Sequence, residues 1–376
     1  MNNRAFALIF VFVAIVFLTI LSSAVLLRSV AESRMATRQL EATQAFWLAE
    51  AGIQQVAYRL KTDAAYRSSP TNITGSLASG TYAVTVSKRT GVTVYDVTST
   101  GTAGGIPRNI AQTLTVTIGW GKQFTDYGVF AGAGSISMKN SSQITGDAYT
   151  AGSVSTSSSS IVTGKVYANS GSGNYTRVPL PSPPLARAVL DTTYYVTEIN
   201  TAKTYASGNK TYTTLALAGG TVYVNGTVTA TNITGPGTVV SNGNFTVNGG
   251  SVGQNVTIIT NSTLSFASGS HVLSGAVLYA TTAVTSTASN VIMDSAALLT
   301  PGTVTFSNSI TFNGAIFCGG NISVGSNSVV NGAVTSGGTI NTTSSGQIVQ
   351  NKNKLPPNTP NGVESITQVV LSGWSG

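Results

Sequence analysis

The chain has 376 residues, of which only 8% are charged, and 19 Lys and Arg against 11 Asp and Glu give a net charge of +8. Its single cysteine, Cys318, excludes an intramolecular disulfide framework and a cysteine-built zinc site, and is expected to be a small buried core residue. Apart from Lys88-Arg89 the basic residues are scattered. They form no basic, aromatic-interleaved patch, so nucleic acid is not an expected partner.

The chain begins with an apolar run from Ala5 to Leu27. The run lies between Arg4 and Arg28 and contains no charged residue, proline or glycine. As a helix it would extend about 34 Å, enough to cross the hydrocarbon core of a bilayer. Charged, helix-compatible residues follow directly, without the small-residue cleavage site and turn of a secretory signal. The run is therefore predicted to remain in the protein as a membrane-spanning segment.

An amphipathic stretch continues this helix. Its apolar residues recur every three or four positions, as on one face of a helix: Ala42, Phe46, Ala49, Ile53, Val56, Leu60 and Ala64. Pro70 follows Ser68 and Ser69 and predicts the end of the helix just before it. The sequence thus predicts one helix from Ala5 to about Arg67, roughly 90 Å long, in an N-terminal unit of residues 1–67.

This layout and two short motifs resemble type IV pilins, and in particular the PilX-type minor pilins. The motifs are Arg4-Ala5-Phe6-Ala7-Leu8 before the aliphatic run, and Ala45-Phe46-Trp47-Leu48-Ala49-Glu50-Ala51-Gly52 in the second half of the helix. The resemblance covers residues 1–120. It implies leader cleavage between Ala5 and Phe6, other pilins as partners, and an inner-membrane anchor with an exported body. Ala5 stands where the family usually has glycine, and Phe10 where major pilins carry glutamate, so a plain signal anchor is the alternative.

The resemblance also assigns helix-packing residues. A first set would pack among neighbouring pilin helices: Ala7, Leu8, Phe10, Phe12 and Ile15. A second set would bridge to the head: Phe46, Trp47, Ala49, Glu50, Ile53 and Val56. The role that follows is a structural subunit of a type IV pilus or related filament, engaged in assembly or adhesion.

The distribution of arginines conflicts with export. Arg4 stands alone before the apolar run, whereas Arg28, Arg34 and Arg38 follow it. The positive-inside rule would then place the body of the protein in the cytoplasm. A membrane-tethered scaffold similar to the bactofilins is the corresponding alternative, although the pilin resemblance favours export.

Residues 68–123 read as a small antiparallel sheet, the pilin-like head. Alternating apolar residues predict strands over Thr81–Val86, Val92–Ser99 and Ile110–Ile118, with turn residues between them. The predicted fold class is thus α+β followed by all-β.

From residue 124 to 350 the sequence repeats with a period near 18. Gly314-Ala315-Ile316 recurs as Gly332-Ala333-Val334, and Gly146-Asp147-Ala148-Tyr149 as Gly164-Lys165-Val166-Tyr167. Short strands with glycine or asparagine at the corners are typical of a three-faced parallel β-helix. Such a coil resembles the repeats of bactofilins and the solenoid appended to some PilX-type proteins.

Two segments depart from the repeat. Residues 174–210 contain four prolines and then Leu190, Tyr194, Ile199 and Ala202 at mostly helical spacing, which predicts a loop and a short helix on the side of the coil. In the tail, residues 351–376, a strand over Val363–Leu371 is predicted to pack back or to cap an open end of the coil, helped by Trp374.

No catalytic, metal or cofactor site is predicted. The acidic residues after Tyr127 are Asp147, Asp191, Glu198, Asp294 and Glu364, and the histidine His271 is expected to be a solvated corner residue. Paired carboxylates, calcium ligands and nucleophile motifs are not recognisable among them. A non-enzymatic alternative is a surface glycan-binding module, in which Tyr212 or Tyr223 on a flat outer face would contact polysaccharide.

Overall fold

A computed structural model describes residues 3–63, 66–67, 69–77, 80–89, 93–182, 184–185, 189–200, 206–286, 288–325 and 327–375. The predicted fold class is confirmed: a long N-terminal helix and a small antiparallel sheet are followed by a parallel β-solenoid. The chain divides into two compact units, Met1–Thr117 with Ile366–Gly376, and Ile118–Ser365.

Helix α1 spans Asn3–Thr62, 60 residues without a break, or roughly 90 Å. It ends about one turn before the predicted Arg67. The Asp63 side chain accepts a hydrogen bond from the Tyr66 N–H at 3.0 Å, and aspartate competes in this way with the helical hydrogen-bond pattern.

The sheet of the first unit has five strands in the order β1-β2-β3-β4-β31. They are β1 (Ile73–Leu77), β2 (Gly80–Lys88), β3 (Val94–Ala103), β4 (Ile106–Trp120) and β31 (Glu364–Ser375). The sequence predicted β2, β3 and β4 but not β1. The C-terminal strand, which was predicted either to pack back or to cap the coil, joins this sheet beside β4. There Ser372 Oγ donates to Thr113 O at 3.3 Å. The alternating residues of this strand suit any exposed strand edge, so the sequence could not tell which edge it would join.

The second unit is the solenoid and its covering segments. Its helices are α2 (Lys122–Thr125) and α3 (Thr193–Asn200), with a 3₁₀ turn at Lys352–Lys354. Its first strands are β5 (Val129–Phe130), β6 (Ile136–Met138), β7 (Gln143–Thr145), β8 (Ala148–Thr156), β9 (Ile161–Val162), β10 (Lys165–Ser172) and β11 (Thr176–Val178).

After α3 the coil resumes and continues to residue 350. The strands are β12 (Ala206–Ser207), β13 (Lys210–Ala216), β14 (Thr221–Asn225), β15 (Val228–Thr234), β16 (Gly237–Ser241), β17 (Phe245–Val247), β18 (Ser251–Val252), β19 (Val256–Thr260), β20 (Thr263–Phe266), β21 (His271–Val272), β22 (Val277–Ala280), β23 (Ala283–Ser286), β24 (Val291–Thr300), β25 (Thr303–Phe306), β26 (Ile310–Cys318), β27 (Ile322–Val324), β28 (Val329–Ser336), β29 (Ile340–Thr342) and β30 (Gln347–Gln350).

Parallel pairing between successive turns confirms the predicted repeat. Gly314 pairs with Gly332 and Tyr149 with Tyr167, as their spacing predicted. Side-chain hydrogen bonds between turns that follow each other in the sequence join residues 16 to 23 positions apart, as from Cys318 to Gly302 and from His271 to Asp294. Inward side chains of all three faces form one continuous apolar core, from Val129 through Leu278 to Ile348. Each turn buries its inward residues against the next, about 4.8 Å away.

The turns do not stack in chain order. The last turn of the coil, β28 to β30, pairs with β5, β6 and β7: Thr335 lies beside Phe130, Ile340 beside Ile136 and Ile348 beside Ile144. The chain therefore enters the coil in the middle. Strands β5 to β11 form one end of the coil, and β12 begins the opposite end. The turns from β12 onwards then stack back towards the first end, until β30 pairs with β7.

The segment between β11 and β12 is thus a crossing connection, not the side excursion predicted for residues 174–210. Of the residues at predicted helical spacing, Ile199 is buried in α3, whereas Tyr194 is 40% exposed and its neighbour Tyr195 is buried instead. Ala202 lies outside the described residues. The crossing helix packs on one outer face of the coil, termed here the covered face, whose outward column is Tyr223, Val240, Ile259, Tyr279, Leu299, Phe317, Thr335, Phe130, Tyr149 and Tyr167.

A second face carries only small polar residues in its central outward column and is termed the hydroxyl face. This column consists of Thr211, Thr229, Thr246, Ser265, Thr285, Thr305, Ser323, Asn341, Ser137, Ser155 and Ser172. Hydroxyl and amide side chains stack in register without the repulsion that like charges would suffer. This explains the low charge of the chain.

Candidate functional site

The candidate site is helix α1, whose two halves have different surroundings. From Phe10 to Val30 every side chain is exposed, including Phe10 at 71% and Leu27 at 70%. This half is long and apolar enough to cross a membrane, with a mean hydropathy of 2.8 over its most apolar window. The first ion pair, Arg28 to Glu32 at 2.9 Å, follows at its end. An apolar surface of this extent requires lipid or neighbouring helices around it.

The second half of α1 buries one face against the sheet. Its fully or almost fully buried residues are Ala45, Leu48, Ala49, Gly52, Ile53, Val56 and Leu60. Their spacing of one, three or four residues makes a single stripe, which lies over β2 and β3.

Small residues set the distance between helix and sheet. A Cβ added at Gly101 in β3 would lie 2.0 Å from Ala45 O and 2.5 Å from Ala49 N. On the helix side, a Cβ at Gly52 would lie 2.6 Å from Ser99 Oγ and 2.7 Å from Val84 Cγ2. The alanine- and glycine-containing motif on α1 therefore has a packing function, because it lets the strand backbone approach the helix backbone.

The helix-packing residues predicted from the sequence fall into three groups. Ala7 and Leu8 are in α1, but their side chains lie outside the described part of the chain. The same holds for Ala5 and Phe6, the residues of the predicted cleavage site. Phe10, Phe12 and Ile15 are exposed on the apolar half, at 71%, 68% and 54%.

In the second predicted set, Ala49, Ile53 and Val56 are fully buried against the sheet. Phe46 and Glu50 are half-buried beside the stripe. The prediction that Trp47 bridges to the head is wrong, because its side chain is 63% exposed. At 100° per residue, Trp47 lies almost opposite the buried stripe. The buried stripe also contains Ala45, Leu48 and Gly52, which the apolar spacing through Ala42 and Phe46 did not include.

Comparisons with known proteins give a weak structural likeness. No protein-family model and no curated protein matches the sequence. Among solved structures, the chain is similar to the competence-associated pilin ComZ from Thermus thermophilus, with a TM-score of 0.31 and 10% identity over 89% of this chain and 97% of that chain.

The aromatic residues named for glycan contact are not on an open flat face. Tyr223 belongs to the covered face, is only 9% exposed, and donates its hydroxyl to Glu198 Oε2 at 2.8 Å. Tyr212 is partly buried against the inner core. Neither residue therefore forms the exposed stacking platform that would have supported the glycan-binding alternative. The crossing connection covers Tyr223, and Tyr212 packs against the inner core.

His271 is not isolated, as the sequence suggested. Its Nε2 lies 2.8 Å from Asp294 Oδ2, and Asn313 Nδ2 donates to Asp294 Oδ1 at 3.0 Å. Asn331 Nδ2 continues the ladder to Asn313 Oδ1 at 3.0 Å. These residues stack on successive turns of the coil, with His271 and Asp294 partly exposed and Asn313 buried. The described residues contain no cluster of three or more His, Cys, Asp or Glu that could hold a metal.

Cys318 is a buried corner residue. It pairs in register with Thr300 before it and Ser336 after it, and all three side chains point inward where the strand ends. Cys318 Sγ donates to Gly302 O at 2.9 Å, as Ser336 Oγ donates to Gly320 O at 2.7 Å. Burial raises the pKa of the Cys318 thiol to about 12. The thiol therefore stays protonated, and its hydrogen bond to Gly302 O stabilises a corner of the coil.

Proposed function

We propose that this protein is a structural, minor-pilin-like subunit that is anchored in the inner membrane and assembles with other pilins through α1. The observation that carries the proposal is the division of one continuous helix. The N-terminal half of the helix is apolar and exposed, whereas small residues let its C-terminal half pack closely against an antiparallel sheet. A helix held in this way can pack among other helices while its sheet and solenoid remain outside the bundle.

The exposed residues of the fixed half suit such packing. Trp47 and Tyr58 are 63% and 66% exposed and lie on the side of α1 opposite the sheet. They follow Leu40, which is 59% exposed, by about two and five helical turns. Large exposed aromatic residues along one helix face are typical of surfaces that become buried in an assembly. The solenoid, with its scarcity of charge, would then be displayed by the filament.

The decisive measurement is the N-terminal mass of the protein recovered from sheared surface filaments. A chain beginning at Phe6, with Met1–Ala5 removed, supports processing and filament assembly. An intact N-terminus found only in the membrane pellet contradicts the proposal.

Protease treatment of spheroplasts tests the orientation separately. Export of the body predicts digestion of the solenoid by added protease while a cytoplasmic control protein survives. Protection of the solenoid until the membrane is opened would instead favour the cytoplasmic scaffold that Arg28, Arg34 and Arg38 suggest.

A further inference from the structure

We infer that a cleft on the covered face, between α3 and the segment 358–361, binds a neutral carbohydrate. The cleft has a volume of about 330 Å³, at the lower end of the range for small-molecule sites. Its lining combines two tyrosines with amide and hydroxyl side chains: Tyr194, Tyr195, Asn255, Thr257, Gly275, Val277, Asn358, Thr359, Pro360 and Asn361.

Two neighbouring turns of the coil form the floor. Thr257 and Val277 are paired residues of β19 and β22, and both side chains face outward. A Cβ at Gly275 would lie 2.2 Å from Asn255 Oδ1, so the absence of a side chain at Gly275 makes room for the Asn255 amide. Asn255 has a φ of +55°, a conformation that asparagine tolerates better than most residues. The corner thus holds an exposed amide at the edge of the floor.

The walls are held in place by contacts beneath the cleft. The Tyr195 ring stacks on Tyr279 at 4.1 Å, and the Tyr195 hydroxyl donates to Asn361 O at 2.9 Å. Asp191 N donates to Gly362 O at 3.0 Å, which joins the two walls a second time. Because both walls are fastened to each other and to the coil, the cleft needs little ordering when a ligand enters.

The lining selects the class of ligand. Among its ten residues there is no Asp, Glu, Lys, Arg or His, so a charged ligand would lose hydration without gaining a partner. Tyr194 is 40% exposed and offers ring surface at the mouth of the cleft. An aromatic ring packs against the C–H face of a pyranose, while amides and hydroxyls exchange hydrogen bonds with its hydroxyl groups. A neutral sugar satisfies both kinds of surface, and one or two rings fit the volume.

The test measures binding of neutral disaccharides to the full chain by saturation-transfer NMR. The probes are cellobiose, maltose, lactose and N,N′-diacetylchitobiose, each at about 10 mM because a shallow site is expected to bind in the millimolar range. The chain is held in a zwitterionic detergent, since a glycoside detergent would compete for the cleft. We expect transfer to at least one disaccharide and to no charged uronic-acid dimer.

Two variants localise the binding. Tyr194→Ala removes the exposed ring, and Asn255→Asp keeps a residue that tolerates the left-handed conformation while replacing the amide donors by a carboxylate. Each is expected to weaken binding at least about tenfold. The matched control is Val196→Ala, which is on α3 and 39% exposed but does not line the cleft; it should leave binding unchanged.

The inference is overturned if none of the four disaccharides binds. It is equally overturned if binding survives both cleft variants, which would place the sugar elsewhere, for instance on the hydroxyl face. The measurement needs neither leader cleavage nor filaments, so its result is independent of the proposed pilin role.

Discussion

Substitution of Gly101 by alanine tests how α1 is attached to the sheet. The new Cβ would stand 2.0 Å from Ala45 O and 2.5 Å from Ala49 N, both backbone atoms of the helix. Ordinary contact requires about 3.4 Å, so helix and strand must separate by more than about 1 Å. Overpacking typically lowers the free energy of unfolding by about 1–3 kcal/mol. We expect about 3 kcal/mol here, because the clashing atoms belong to a helix backbone that cannot change its rotamer as a side chain can. Leu48 and Val56 would lose contact with the sheet at the same time.

Hydrogen exchange measured by mass spectrometry is the suitable assay, because it reports the two units of the chain separately. A loss of about 3 kcal/mol predicts roughly hundredfold faster exchange of the protected amides in β2 and β3, with no change in the solenoid. Thr98→Ala, at an exposed position of the same strand, is the control and should cost less than about 1 kcal/mol. Exchange in Gly101→Ala that matches this control would refute the close-approach argument.

Three further outcomes are expected. Cys318→Ser should change stability by less than about 1 kcal/mol, since a hydroxyl can donate to the same corner carbonyl, and the native thiol should react with a thiol reagent only after denaturation. The hydrogen bond from Arg89 lowers the pKa of Asp96, so the stability that Asp96 contributes is present above the ordinary aspartate pKa and is lost as the pH falls through the lower folded value. The protection factors of β2 and β3 amides, corrected for the pH dependence of intrinsic exchange, should therefore fall below about pH 4, and Asp96→Asn should abolish this acid-dependent step. Cysteines at Ser137 and Asn341, which are paired in register, should cross-link with a short thiol reagent in a Cys318→Ser background, whereas a pair two turns apart on the same face should not.

Much of this fold could be predicted because its signals are local. The apolar run, the amphipathic spacing and the glycine corners each act within a few residues or one turn of the coil. Gly314 and Gly332 lie one period apart in the sequence and pair in the structure. For the same reason, the buried stripe from Ala49 to Val56 could be found from spacing alone.

The errors concern pairings that no local pattern encodes. Three pairings were not predicted: the C-terminal strand with β4, β30 with β7, and His271 with Asp294. The first two link residues that are distant in sequence, and Asp294 is displaced by a bulge. Any turn of a regular coil offers an equivalent edge to the next, so the repeat does not specify the order in which turns stack.

The crossing connection gives a physical reason for the covered face. A chain that enters its coil in the middle must return from one end to the other, and the return has to lie on an outer face. That face must be apolar where it is crossed, which accounts for Tyr279 beneath Tyr195 and for Tyr223 beneath α3. In the sequence Tyr223 resembled a ligand platform, but in the structure it supports the crossing segment. Exposed aromatic surface remains at the edge of that segment, at Tyr194, and there the cleft forms.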